Sequence, residues 1–273
     1  MVFLCEKYRT EAGFEMTLNL IMIIFSFFFG LALGSFLNVC IHRIPLKVSI
    51  VSPPSSCPQC GERIRFYDNI PLISYMVLLG RCRNCGNPIS MGYPLVELIT
   101  GLLSTSLFLG YNLSHQYFLF LIFSSSLIVI SFIDLRHQII PDVISLPGIL
   151  LGLLISLIFK NITWYDSLIG AMGGGGILYL VAVVFKKLTG KEGMGGGDIK
   201  LLAMIGAWMG WRAIPFIILI SSLTGTIIGG GSLLISRKEL RAKIPFGPFL
   251  AIGALIYLFF GPEIKSWYFQ SLT

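Results

Sequence analysis

Two aspartates stand at the ends of apolar segments that otherwise carry few charges. Asp134 closes one such segment, and Asp198 follows three glycines, residues 195–197, at the start of another. A carboxylate at membrane depth is costly, so it indicates a functional site by default. Two carboxylates brought together can hydrolyse a peptide bond: the ionised one takes a proton from water, and the protonated one donates to the scissile carbonyl. Because like charges repel, such a pair titrates as a unit.

The glycines before Asp198 suit this chemistry. Residues without a Cβ atom allow the backbone to bend sharply and an extended substrate to approach closely. Irregular backbone is tolerated at membrane depth where it is buried in protein or lines a wet cavity. We therefore expect the short apolar segment 199–211 to begin inside the membrane.

Each carboxylate also has a structural interpretation. Asp142 follows Pro141 at a predicted helix start, where it can cap free N–H groups and meet the positive end of the helix dipole. Asp134 can pair with Arg136 at the membrane interface, and Asp198 can cap the helix that follows the glycines. Capping is the favoured interpretation for Asp142, whereas both interpretations stay open for Asp134 and Asp198.

Four cysteines predict a metal site in the one long polar segment. They form two CxxC pairs, each followed by a glycine, and 21 residues separate the pairs. Four thiolates with this spacing fit one tetrahedral Zn²⁺, and the glycine permits the tight turn of each knuckle. The alternatives are two disulfides or free thiols, and a cytoplasmic location disfavours the disulfides. The predicted zinc ligands are Cys57, Cys60, Cys82 and Cys85.

The composition indicates a membrane protein. Of the 273 residues, 55% are hydrophobic and only 12% are charged, against about 25% charged in soluble domains. The mean hydropathy of +0.84 points the same way. We predict an all-α polytopic protein with about eight transmembrane helices and a small zinc-binding loop domain. The eight apolar segments are 18–41, 94–112, 117–135, 142–159, 164–185, 199–211, 213–236 and 244–262.

The basic residues predict an orientation. If the loop 42–93 is cytoplasmic and the segments alternate, 15 of the 20 Lys and Arg residues lie on the cytoplasmic side. This retention also explains the net charge of +7 without a nucleic-acid partner. We therefore divide the chain into an N-terminal tail (1–17), a first transmembrane helix (18–41), the cytoplasmic loop (42–93) and a membrane-embedded core (94–273).

Together these motifs resemble the bacterial prepilin peptidases, or type IV leader peptidases, which are membrane aspartyl proteases of the GxGD class. The resemblance covers most of the chain, and several motifs in the same order are more specific than GGGD alone. The matching motifs are residues 34–45 (GSFLNVCIHRIP), the paired CxxC loop, residues 93–97 (YPLVE), residues 133–136 (IDLR), residues 140–142 (IPD) and residues 195–200 (GGGDIK).

The resemblance implies that Asp134 and Asp198 are the catalytic pair. It also implies cleavage of prepilin or pseudopilin leaders after a glycine, at the cytoplasmic face of the bacterial inner membrane. The cysteine loop implies the bifunctional form, which then methylates the new N-terminus with S-adenosylmethionine. The sequence does not identify the residues that bind this methyl donor, nor an oligomeric state. The residues that support the motifs are Gly195, Gly197, Asp142, Glu97 and Lys200.

Two other classes of function are compatible with parts of the sequence. An ion- or proton-coupled transporter also uses intramembrane acids and broken helices, although paired breaks in two inverted halves are typical there. A membrane-anchored zinc module that binds a partner would leave the placement of Asp134 and Asp198 unexplained. Cleavage of a leader peptide without any gradient distinguishes the peptidase from the transporter.

Overall fold

The computed structural model of the chain describes residues 2–159, 162–190, 195–236 and 245–270. In these ranges the fold is helical, and the cysteine loop adds two isolated β-bridges. This confirms the predicted all-α class. The helices are α1 (Val2–Arg43), α2 (Ile73–Val77), α3 (Gly92–Tyr111), α4 (His115–His137), α5 (Asp142–Ile158), α6 (Trp164–Thr189), α7 (Gly196–Met209), α8 (Ile214–Ser236) and α9 (Gly247–Gln270).

Five segments are long and apolar enough to cross a membrane: Thr17–Arg43, Gly92–Tyr111, His115–His137, Trp164–Thr189 and Trp211–Ile228. Each of the eight predicted apolar segments falls on a helix, but α5 and the apolar part of α9 are shorter than a full crossing. With 14 residues, α7 is shorter still, and it spans about 21 Å of a hydrocarbon core about 30 Å thick. Eight crossings therefore stay a prediction.

The first helix begins earlier than the segment 18–41, because α1 is helical from Val2 onward. The predicted tail 1–17 is therefore part of α1 in the described residues. The chain forms two compact units, Met1–Ser125 and Ser126–Thr273. The functional division of the chain at residue 94 stays a prediction.

In the first unit, α1 packs along α3, and buried polar side chains link these helices to the start of α4. Ser26 Oγ lies 3.0 Å from Ser104 Oγ, and the Tyr117 hydroxyl lies 2.7 Å from Ser104 Oγ. All three residues are buried. Hydrogen bonds of this kind join helices where apolar packing alone gives little specificity.

In the second unit, α7 lies against both α5 and α6. The backbones of α6 and α7 meet at Gly170 and Gly206, where a Cβ atom on either residue would overlap the other helix. Ser167 Oγ also donates to the Ala207 carbonyl at 2.6 Å. On the α5 side, Trp208 Nε1 donates to the Gly148 carbonyl at 2.8 Å. These contacts fix α7, the helix that carries Asp198.

Candidate active site

Asp134 lies in the last turn of α4, and its side chain is buried, with 5% of the residue exposed. The backbone N–H of Gly247, the first residue of α9, donates to Asp134 Oδ2 at 3.0 Å. First-turn amides have no partner within their own helix, and they carry the positive end of the helix dipole. The carboxylate of Asp134 is thus oriented by the N-terminus of α9.

Gly247 is required at this position because the contact leaves no room for a side chain. A Cβ atom there would lie 2.7 Å from Asp134 Oδ2. Gly247 is not among the residues predicted from the sequence. A signal was present, since residues 245–248 read Pro-Phe-Gly-Pro, and proline is frequent in the first turn of a helix.

Asp198 lies in the first turn of α7, 64 residues after Asp134 in the chain. A hydrogen bond between Lys200, two residues after Asp198, and Asp142, eight residues after Asp134, joins the two segments at 2.7 Å. The fold thus brings together the two aspartates that were selected from the sequence as a pair. Asp134 is buried and Asp198 is half-buried, and a pair of carboxyl groups is what acid–base hydrolysis of a peptide requires.

Packing restricts one of the three glycines before Asp198, and the expected close approach of an extended substrate to them stays a prediction. Gly195 precedes α7 with φ −74° and ψ 143°, an extended conformation that any residue adopts. Gly197 is the restricted position, because a Cβ atom there would lie 2.8 Å from Cβ of Ile140. Ile140 belongs to the connection between α4 and α5. Gly197 therefore allows the first turn of α7 to pack closely against the segment that follows Asp134.

Asp142 lies in the first turn of α5, where it meets the positive end of the helix dipole as expected, but it does not cap the helix, which corrects the capping part of the interpretation. The N-cap residue is Pro141, and no side chain caps the helix. Instead, Lys200 Nζ donates to Asp142 Oδ1 at 2.7 Å, so the ion pair links the first turns of α5 and α7. Likewise, Asp134 bonds to Gly247 and forms no ion pair with Arg136 within the described part of the chain.

Glu97 lies on α3, in the first compact unit. It is buried, with 8% of the residue exposed. Its Oε2 atom accepts a hydrogen bond from the backbone N–H of Leu72 at 2.9 Å. Leu72 directly precedes α2 and has φ 58°. Glu97 thus fixes the cysteine loop to a helix that can cross the membrane.

The four cysteine Sγ atoms come together, all within 4.8 Å of one another. Sγ of Cys57 lies 3.9 Å from Sγ of Cys85. Four sulfurs at about 2.3 Å from a tetrahedral Zn²⁺ would lie about 3.8 Å apart, so this cluster fits a bound metal ion. The four cysteines are free rather than joined in disulfides.

Each knuckle closes as its glycine predicts. Gly61 has φ +71° and Gly86 has φ +70°, and each glycine N–H donates to the carbonyl of the first cysteine of its pair at 2.9 Å. Backbone N–H groups of Cys60 and Gln59 lower the pKa of Cys57 to about 6. A thiolate is the form that binds a metal ion.

An ion pair braces the loop beside the second knuckle. Arg83 forms a fork with both carboxylate oxygens of Asp68, with N–O distances between 2.6 and 3.1 Å. The hydrogen bonds from Arg83 lower the pKa of Asp68. Because Asp68 lies in the 3₁₀ turn Phe66–Asn69, this pair ties that turn to the Cys82–Cys85 knuckle.

Comparison with known proteins identifies relatives along most of the chain. Residues 28–111 match the bacterial peptidase A24 N-terminal domain, and residues 121–230 match the type IV leader peptidase family. No solved structure matches the chain.

Three curated relatives carry the name prepilin leader peptidase/N-methyltransferase. The protein of Aeromonas hydrophila is 41% identical, over 89% of this chain and 92% of its own. The protein of Pseudomonas aeruginosa is 42% identical over 88% and 91%, and that of Burkholderia pseudomallei is 35% identical over 87% and 85%. On this similarity, the chain belongs to the type IV leader peptidase family.

Proposed function

We propose that this protein cleaves the leader peptide of type IV prepilins or pseudopilins after a glycine, and then methylates the new N-terminal residue with S-adenosylmethionine. The names of the relatives support both activities. The observation that carries the peptidase assignment is the packing of the two aspartate motifs against each other. Gly197 lies against Ile140, and Lys200 donates to Asp142 at 2.7 Å.

Asp134 and Asp198 are the proposed catalytic residues. One of them, ionised, activates the attacking water, while the other, protonated, polarises the scissile carbonyl and later protonates the leaving amine. Gly247 holds Oδ2 of Asp134 through its N–H group. We assign the other oxygen, Oδ1, to the attacking water or the substrate.

Both aspartates lie at helix ends rather than at helix centres: Asp134 in the last turn of α4 and Asp198 in the first turn of α7. In the orientation that the basic residues favour, these ends are on the cytoplasmic side of the inner membrane. The apolar helix of a prepilin would lie in the bilayer among the lipid and the spans. Its leader junction would then reach the aspartates at the membrane surface.

The cysteine loop holds a structural zinc ion in this proposal. The ligands are Cys57, Cys60, Cys82 and Cys85, whose spacing in the structure fits four thiolates around one ion. A metal ion stabilises a loop of this size, which is too small for a large apolar core of its own. We associate this loop with the methyltransferase activity.

Cleavage of a synthetic prepilin leader peptide by the purified full-length protein tests the peptidase. Asp134→Asn and Asp198→Asn should each lower kcat/KM by about 100-fold or more, the usual contribution of acid–base catalysis. Asp166→Asn is the matched control. Asp166 is in the same unit but accepts hydrogen bonds from Thr163 Oγ1 and Trp211 Nε1. Normal cleavage by either catalytic variant would contradict the assignment.

The same purified protein can be used to test for methylation and to distinguish the peptidase from a transporter. With S-adenosylmethionine added, mass spectrometry of the mature product should detect one added methyl group at its N-terminus. Cleavage in detergent, without any ion gradient, argues against the transporter. A protein that cleaves without methylating would retain the first half of the proposal and lose the second.

A further inference from the structure

An apolar surface is exposed on the cysteine loop, around α2. We call it the 70–79 surface. Its residues are Ile70, Ile73, Met76, Val77 and Leu79, which are 44%, 46%, 65%, 71% and 85% exposed. Five large apolar side chains within ten residues are more than the scattered exposure that is normal on a protein surface.

The depth of this surface follows from Glu97. Glu97 lies five residues after Gly92, where α3 begins, so it is about 8 Å along the helix axis. The 20 residues of α3 extend about 30 Å, the thickness of the hydrocarbon core. If α3 crosses the hydrocarbon core from Gly92 onward, Glu97 lies below the headgroups, and the Leu72 N–H that donates to it at 2.9 Å would place the start of α2 at the same depth.

Many backbone N–H groups of this segment have hydrogen-bond acceptors within the protein. The N–H of Ile70 donates to Ser74 Oγ, and that of Leu72 donates to Glu97. The N–H groups of Ser74, Met76, Leu78, Leu79, Gly80 and Arg81 donate to carbonyl oxygens within the segment. A segment that contacts lipid must satisfy its backbone polar groups within the protein.

The net positive charge of the loop favours a membrane with anionic lipids as the partner of this surface. Residues 42–93 hold six Lys or Arg and two acidic residues. Arg81 follows the surface directly and is exposed. A basic margin beside an apolar face is typical of segments that lie in the interface of a membrane with anionic lipids.

We propose that the 70–79 surface lies in the bilayer interface, with its side chains among the acyl chains and Arg81 among anionic headgroups. The loop is thus held to the membrane along its own face, in addition to the two helices that flank it. Glu97 sets the depth of this contact through its hydrogen bond with Leu72, and Ser74 Oγ accepts the N–H of Ile70. This inference does not depend on the catalytic assignment.

Site-specific photocrosslinking tests the proposal in nanodiscs that contain phosphatidylethanolamine and phosphatidylglycerol. A diazirine amino acid replaces Met76 or Leu79 in the full-length protein. The matched control carries it at Gln59, an exposed residue between two of the cysteines. Intact-protein mass spectrometry then identifies the adducts. Lipid adducts at residues 76 and 79 should exceed those at residue 59 by about tenfold.

Two results would overturn the proposal. One is a lipid yield at residues 76 and 79 no higher than at residue 59. The other is crosslinking of these residues to a second copy of the chain, or to an added prepilin, in place of lipid. Because the substituted residues are exposed and the replacement is apolar, the fold is preserved and either result can be interpreted.

Discussion

Lys200 donates to Asp142 at 2.7 Å, and this ion pair joins two segments that are 58 residues apart in the chain. Asp142 opens α5, directly after the connection that follows Asp134, and Lys200 lies two residues after Asp198. The pair therefore connects the two motifs that carry the proposed catalytic residues. Both side chains are partly exposed, at 57% for Asp142 and 38% for Lys200, so we expect a role in positioning rather than a large role in stability.

Breaking this pair should reduce leader cleavage moderately. We expect Asp142→Asn and Lys200→Met each to lower kcat/KM by about two- to fivefold, since exposed ion pairs contribute at most about 1 kcal/mol. Lys200→Arg keeps the charge and serves as the control. The exchanged double variant, Asp142→Lys with Lys200→Asp, should recover part of the loss. A double variant less active than both single variants would argue against a positioning role for the pair.

Gly247→Ala should impair catalysis through Asp134. The added Cβ atom would lie 2.7 Å from Oδ2, so either the carboxylate or the start of α9 must move. A displacement of about 1 Å in a catalytic group can cost about 100-fold in rate. Leader cleavage should fall accordingly, mainly in kcat. Gly173→Ala, at a position with open space around its Cβ, is the control. Unchanged kcat in Gly247→Ala would show that the Asp134 carboxylate tolerates the shift.

The purified protein should contain about one zinc ion per chain, held by the four cysteines. Cys57→Ser or Cys85→Ser removes one of four clustered ligands and should release most of the metal, as measured by elemental mass spectrometry. Cys40→Ala is the control, because Cys40 is a buried cysteine of α1 outside the cluster. Methylation should fall with the zinc content. Full zinc content in Cys85→Ser would show that the cluster is not the metal site.

The tether between Glu97 and Leu72 should control the exchange of the loop amides. Glu97→Leu removes the acceptor at 2.9 Å, whereas Glu97→Gln keeps an oxygen there. We expect hydrogen exchange in the peptide around residues 66–79 to rise about tenfold in the leucine variant. The glutamine variant should change it little. Ser106→Ala, which removes an exposed hydrogen bond on the same helix, is the control. Equal hydrogen exchange in Glu97→Leu and the parent protein would show that Glu97 does not hold the loop in place.

The sequence indicates which residues could do chemistry, but it does not indicate which residues those groups contact. Asp134 and Asp198 are conspicuous because so few charges lie in apolar segments. The spacing of the paired CxxC motifs by itself predicts four thiolates around one metal ion. The partners of these groups come from distant parts of the chain. Gly247 is 113 residues from Asp134, and no local pattern connects them. Asp142 looks like a helix cap locally, yet tertiary structure gives it Lys200 instead.

The number of membrane crossings is also hard to predict from local sequence patterns. Apolar runs indicate helices well, because burial of apolar side chains does not depend on a particular partner. Whether a helix crosses fully depends on its length and on what covers its ends. With 14 residues, α7 is apolar but short, and it packs against α5 and α6.

Gly206→Ala should destabilise the second unit. The backbones of α6 and α7 touch at Gly170 and Gly206, so an added methyl group must push the helices apart. Overpacking of this kind costs about 1 to 3 kcal/mol. The thermal unfolding midpoint should fall, and leader cleavage should fall with it, because α7 carries Asp198. Gly176→Ala is the matched control, since Gly176 lies on α6 with no atom near its Cβ position. Equal midpoints for the two variants would show that α6 and α7 can separate without cost.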